Sequence, residues 1–263
     1  MNCRVLVASL LVSAAIVGTA QAATTDCPRK DALGTSRVIA VDAATYPRVG
    51  LKSFPQSLPL RDKEVVLTFD DGPWPPTTKK VLAALAQECV QATFFLIGKP
   101  ASEHPDIVKL IEAAGHTIGH HSWSHPDLAH MPESDAINQI DRGIAADEKA
   151  LHGTATTTPS TPFFRFPGFQ STPALLDLMQ SRGITVFGAD LWASDWQEMS
   201  PKQELELLTR RLKEARKGII LLHDPKAHTA AMLPAFLRYL RENDYHVVHV
   251  VPKQASVDIS RTP

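Results

Sequence analysis

Two adjacent carboxylates close the apolar run Val65-Val66-Leu67 in the segment Thr68-Phe69-Asp70-Asp71-Gly72-Pro73. The run is short, β-branched and stopped by Gly-Pro, the pattern of a buried parallel strand. Like charges that close repel, so the pair makes physical sense if a cation takes up one of them. Partners for that cation follow in His121-Ser122-Trp123-Ser124-His125, where two imidazoles stand four residues apart. Gly119 before them and Pro126 after them predict a tight turn that lets both rings meet one ion. Asp71, His121 and His125 then supply one oxygen and two nitrogens, an open set that leaves room for water and substrate. Asp70 is left over as a base. Either histidine alone could be a surface or core residue; their company gives the pattern its meaning. Two His and one carboxylate also suit non-haem iron oxygenases, but those usually place the carboxylate near the first His on an antiparallel barrel. Neither feature is present.

The elements that must position these residues alternate along the chain. Strands are predicted at Val65–Phe69, Ala92–Leu96, Thr117–His120, Phe163–Arg165, Val186–Phe187, Gly218–Leu222 and His246–Val251. Helices are predicted at Thr77–Gln87, Pro105–Ala114, Glu133–Leu151, Ala174–Gln180, Pro201–Arg216 and Ala227–Glu242. Such βα alternation implies parallel strands with right-handed crossovers. Asp70 and Asp71, His121 to His125, Arg165, Asp195 and His223 all follow strand ends, so one face of the sheet can gather all five segments. A doubly wound sheet would gather its C-terminal ends as well. About seven parallel strands fit a distorted (β/α) barrel better.

The chain has 263 residues, 27 Lys and Arg against 28 Asp and Glu, and no basic block. Nothing argues for nucleic acid or an anionic membrane surface. Residues 1–22 read as a secretory signal: Arg4 gives a basic start, Val5 to Ala20 are apolar, and Ala20-Gln21-Ala22 is a small-x-small cleavage pattern. The stretch is too short and too Ala-rich for a membrane span, so export to the periplasm or the medium is expected, without stable membrane insertion. Residues 23–60 read as an N-terminal arm and residues 61–263 as a single catalytic domain. Of three cysteines, Cys3 leaves with the signal. Cys27 and Cys89 either pair in an oxidising compartment, pinning the arm to the first helix, or stay as one buried and one free thiol.

The ordered set of motifs resembles the polysaccharide deacetylase family (carbohydrate esterase family 4, the NodB homology domain). Asp70-Asp71 and His121 to His125 are its most specific signals, and Arg165-Phe166-Pro167-Gly168, Asp195-Trp196 and Leu221-Leu222-His223 follow in the same order. The resemblance runs from about Val65 to Val251 and implies a distorted barrel that removes acetyl groups from N- or O-acetylated sugars with a divalent metal. It implies that Asp71, His121 and His125 hold the ion, zinc in most members with cobalt as an alternative. It implies further that Asp70 is the general base, paired with an Arg165 that lowers its pKa. His223 would be the general acid, kept protonated by Asp195. Asp195 could instead cap a helix, and His223 could be a core histidine. Leu221 and Trp196 would line a groove for the acetyl methyl, or be ordinary core.

Two positions depart from the family pattern. Gly168 stands where a tyrosine usually supplies an oxyanion N–H; glycine keeps the N–H and loses the aromatic wall, which Phe169 could partly replace. His120 stands where Asn is frequent, and its ligation of the metal is not expected. Trp74 and Trp192 follow strand-end motifs and could stack on a sugar or simply pack. The expected activity is hydrolysis of the acetyl amide of an N-acetylglucosamine glycan, of chitin-oligomer or peptidoglycan type, by a monomer. The alternatives are an O-acetyl xylan esterase or a non-catalytic carbohydrate-binding protein of the same fold.

Overall fold

The computed structural model describes residues 27–253, and the expected signal and its cleavage point lie outside them. The strands are β1 (Thr35–Val41), β2 (Arg48–Val49), β3 (Glu64–Asp70), β4 (Thr93–Leu96) and β5 (Thr117–His120), then β6 (Phe163–Phe164), β7 (Thr185–Phe187), β8 (Leu191–Trp192), β9 (Gly218–His223) and β10 (His246–Pro252). The helices are α1 (Thr77–Gln87), α2 (Gly98–Glu103), α3 (Pro105–Ala113), α4 (Glu133–His152), α5 (Pro173–Ser181), α6 (Pro201–Ala215) and α7 (Ala227–Glu242). Every ladder between described strands is parallel.

β4, β5, β6 and β7 follow β3 on one side, and β9 then β8 flank it on the other. These seven strands form one parallel sheet curved in the manner of the expected distorted barrel and left open at a seam between β7 and β8 that no ladder crosses; the expected strand His246–Val251 is β10, outside these seven, and β8 takes its place. β2 pairs with β7, and the chain after it packs into the seam. There the Asp190 carboxylate accepts hydrogen bonds from the Leu51 N–H, the Ser57 hydroxyl and the Ile219 N–H at 2.7–2.8 Å. At the other end β10 pairs only with Glu64 and Val65 of β3, then runs on to where Thr117, opening β5, donates to the Val250 carbonyl at 2.6 Å. β1 lies alongside β10. The stretch expected as an arm therefore contributes two strands to the same sheet.

Strand alternation sorts the side chains. From β3, Val65, Leu67 and Phe69 join the layer under the helices with Leu222, Phe236 and Leu237. Val66 instead packs inside the barrel with Phe95, Phe163, Phe187, Ile219 and Val248. A third cluster seats α4 and α5 through Ile140, Ile144, Leu175 and Met179 against Phe164 and Val186. The helix ends are set locally: Ser200 and Gln203 form a capping box at α6 behind Pro201, so the cap considered for Asp195 is Ser200. Cys27 and Cys89 are joined in a disulfide with Cα atoms 5.8 Å apart. Beside it Arg29 reaches Glu88 at 3.2 Å.

Helix α4 approaches the 121–125 turn closely enough that a Cβ on Gly143 would stand 2.5 Å from the Ser122 carbonyl carbon and 2.9 Å from the Trp123 nitrogen. Backbone on both sides leaves no soft neighbour to yield. Gly143→Ala is therefore expected to lower stability by about 1–3 kcal/mol, the usual cost of overpacking. Urea unfolding would read it, and an unchanged midpoint would mean that α4 can move away freely.

Candidate active site

The C-terminal ends of β3, β5, β6, β8 and β9 open into one cavity of about 440 Å³. Its lining includes Asp70, Asp71, His121, His125, Gly168, Trp196, Leu221 and His223, together with Phe166, Phe169, Trp192 and Lys226. Each residue named from the motifs is thus in the cavity or directly behind it; Arg165 and Asp195 are the two behind. Trp74 is half exposed and outside the lining, and the Cys27–Cys89 bridge lies by α1.

β3 turns inward Thr68 and Asp70, and β6 leads directly into Arg165, which has no exposed surface. The Arg165 guanidinium donates to Asp70 Oδ1 at 2.6 Å, to Thr68 Oγ1 at 2.9 Å and to the Gly188 carbonyl at 2.8 Å. Its carbon lies 4.3 Å above the Phe95 ring centre. Burial pushes the Asp70 carboxyl above its ordinary value, and Arg165 is the largest influence holding it down. The net direction is upward, opposite to that expected from the arginine alone, because the carboxyl is stripped of water.

The ligand atoms of Asp71, His121 and His125 lie within 4.8 Å of one another. Asp71 and His125 both adopt positive φ, 75° and 62°, which turns their side chains back over the strand end. Gly72 is required beside them, since a Cβ there would meet the Asp224 carboxylate at 2.4 Å. His121 is buried, and burial pushes it down to about 3, so the ring is neutral. Its Nδ1–H donates to the Arg165 carbonyl at 2.7 Å, which leaves the lone pair on Nε2. That nitrogen faces Asp71 Oδ1 at 3.5 Å, and His125 Nε2 faces the same oxygen at 3.4 Å. Asp71 Oδ1 is nevertheless buried without a hydrogen bond. A lone pair opposing a carboxylate oxygen is repulsive unless a cation lies between them, so this N,N,O set fits a divalent metal such as zinc.

On the far side of the cavity His223 Nδ1 bonds Asp195 Oδ1 at 2.8 Å. Asp195 Oδ2 accepts from the His223 N–H at 2.7 Å and the Thr229 hydroxyl at 2.9 Å. Burial alone would lower the His223 pKa; the Asp195 hydrogen bond and charge, with Asp70 and Asp71 beyond, raise it to about 9. Trp196 meets the His223 ring edge-on at 6.1 Å, and Trp192 stacks on Phe169, so Phe169 does stand as an aromatic wall beside Gly168. His120 turns outward, away from the cavity, and bonds the buried Asp147 at 2.7 Å.

Sequence reading passed over Asp224, Asp147 and Lys226. Asp224 directly follows His223 and could have been found by its position; its carboxyl is buried, bonded to Thr78 and pushed up to about 7 by burial. Asp147 sits mid-helix on α4 among other polar residues and gave no signal.

The polysaccharide deacetylase family model matches residues 57–187. A peptidoglycan-N-acetylglucosamine deacetylase of Listeria monocytogenes is 30% identical over 191 residues, covering 72% of this chain, and the chain spans 38% of that protein's length. A chitooligosaccharide deacetylase of Rhizobium leguminosarum bv. trifolii is 31% identical over 164 residues, 62% of this chain and 72% of the relative. Among solved structures, the peptidoglycan deacetylase Bd3279 of Bdellovibrio bacteriovorus superposes with a TM-score of 0.75 at 27% identity, covering 87% of this chain and 62% of that one. With the motif order, the barrel and the open N,N,O set in agreement with these matches, the chain belongs to the polysaccharide deacetylase family.

Proposed function

We propose that this protein is an exported, metal-dependent deacetylase that cleaves the acetyl amide of N-acetylglucosamine units in a cell-wall type glycan, peptidoglycan before chitin oligomers. The observation that carries the reading is a buried carboxylate, Asp70, held by Arg165, and an imidazole, His223, bonded to Asp195, both lining one cavity with Asp71, His121 and His125. A protein that only bound sugar would need neither. The names of the Listeria and Rhizobium relatives support the glycan class, and a peptidoglycan substrate accounts for export.

When bound by Asp71, His121 and His125, a divalent cation would polarise the acetyl carbonyl and make water a better acid. Asp70 takes a proton from the attacking water through Oδ2, while Arg165 holds Oδ1 and stops the carboxylate from turning. The upward push of burial makes Asp70 a stronger proton acceptor than an exposed aspartate. His223, bonded to Asp195 through Nδ1, presents Nε2 to the leaving group and gives its proton to the departing amine. The N–H of Gly168 is assigned to the developing oxyanion, and Leu221 and Trp196 to the acetyl methyl.

Asp70→Asn is expected to cut acetate release from N-acetylglucosamine oligomers by about 10²–10⁴-fold, the range for loss of a general base, while zinc remains bound by metal analysis. His121→Ala should lose both zinc and turnover. Near-wild-type rates in Asp70→Asn would remove it from the base role. His223→Ala should hurt amide cleavage far more than cleavage of an acetate ester with an acidic alcohol, because an amine leaves only when protonated; equal losses on the two would rule out its role as the acid. With His223 protonated up to about 9, turnover should hold through neutral pH and fall as pH rises through that value. A pH–rate profile flat well beyond it would assign the acid to another group.

A further inference from the structure

Glu204, in the first turn of α6, lies outside the cavity lining and behind the Asp195–His223 pair. It has no exposed surface, and neither of its carboxyl oxygens has a hydrogen bond. His228 Nε2 is 3.8 Å from Glu204 Oε2. That nitrogen must carry the proton, because it donates to the Asp195 main-chain oxygen at 3.0 Å, and a carbonyl only accepts. Asp195 in turn already holds three donors, two from His223 and one from Thr229. Two carboxyls thus share one dry compartment, and all the hydrogen bonds go to Asp195. The one without partners is the one that must stay neutral. Burial first, and the Asp195 charge second, push Glu204 up to about 8.

We propose that Glu204 is a positioning residue for the leaving-group proton: a neutral acid behind Asp195 near neutral pH, and in alkaline medium a second carboxylate that keeps His223 protonated. The inference rests on His223 being the proton donor. The charged and titratable groups facing Glu204 are Asp195 after β8, His223 at the end of β9 and His228 on α7. On its own helix the Arg211 guanidinium is committed elsewhere, to the Trp192 carbonyl at 2.8 Å and the Ser194 hydroxyl at 2.7 Å. As Glu204 ionises, its negative charge favours the imidazolium, so removing the ionisable group must lower the His223 pKa.

The test compares wild type and Glu204→Gln, both zinc-loaded full chains. The amide keeps the shape of the neutral acid and cannot ionise. The His223 imidazole titration, followed by NMR, is expected to move down by about one pH unit from about 9, and the ratio of kcat at pH 9 to kcat at pH 7 to fall by about fivefold, from about one half to about one tenth. A titration and ratio superimposable on the wild type, or an equal loss of kcat at both pH values, would overturn the proposal in favour of packing alone. Infrared spectroscopy gives an answer even if the variant does not fold. Wild type labelled with ¹³C-glutamate, which sets glutamate bands apart from those of the buried Asp224 and Asp147, should show a buried protonated glutamate carboxyl at pH 7 that is lost as pH rises through about 8, and its absence at pH 7 would overturn the idea. Because the NMR titration reads the proton on His223 rather than turnover, it decides the role of Glu204 even if His223→Ala shows that another group serves the leaving amine.

Discussion

The buried ion pair between Arg165 and Asp70 is the interaction on which the rest of the site depends. A guanidinium without exposed surface is sustained only if its charge is answered and its donors are taken up. Here Asp70 answers the charge, while Thr68, Gly188 and Phe187 take three further N–H groups. These contacts tie β3 to β6 and to the end of β7, across the barrel interior. The same residue's carbonyl fixes the tautomer of His121. One arginine therefore orients Asp70 through its side chain and His121 through its backbone, so the two cannot drift apart independently.

Around that pair the barrel mouth sorts three ionisable groups by their neighbours rather than by their chemical type. Asp70 is pushed up by loss of water, His121 is pushed down by the same cause, and His223 is pushed up because Asp195 outweighs it. The result is a carboxylate able to take a proton, an imidazole able to offer a lone pair and another able to give a proton, all lining one cavity. Such divergence is what acid–base chemistry near neutral pH requires.

Much of this was legible in the sequence because the chemistry sits on strand ends, where local signals are strong. Apolar runs closed by Asp-Asp-Gly-Pro or by Leu-Leu-His announce both the strand and the residue at its lip, and the long helices announce themselves by periodicity and caps. The two-residue strands β2 and β8 were not legible, because neither Arg48-Val49 nor Leu191-Trp192 has the marker that the equally short β6 has in the Arg165-Phe166-Pro167-Gly168 motif directly after it. β1 was read as arm because its pairing with β10 is long-range. α2 was missed between a strand and a proline. Glu204 reads as an ordinary polar residue on an amphipathic helix, and only the tertiary packing shows that its side chain faces inward. The net direction at Asp70 was not legible for a related reason: sequence names the neighbour, Arg165, which does lower the carboxyl, but not how much water surrounds it.

The seam between β7 and β8 has a consequence for how such a molecule can change over evolutionary time. Trp192, on the edge strand beside the seam, carries part of the aromatic wall, and Lys52 from the seam-filling segment lies over its ring at 5.2 Å. Lengthening or shortening residues 51–57 would shift that wall against Asp71, His121 and His125 without altering any strand-end residue. Hydrogen-bonded barrel strands resist such adjustment, whereas a joint packed by loop residues permits it. Selection can therefore reset the width of the groove in one part of the gene while Asp70, Arg165 and His223, encoded elsewhere, are left untouched.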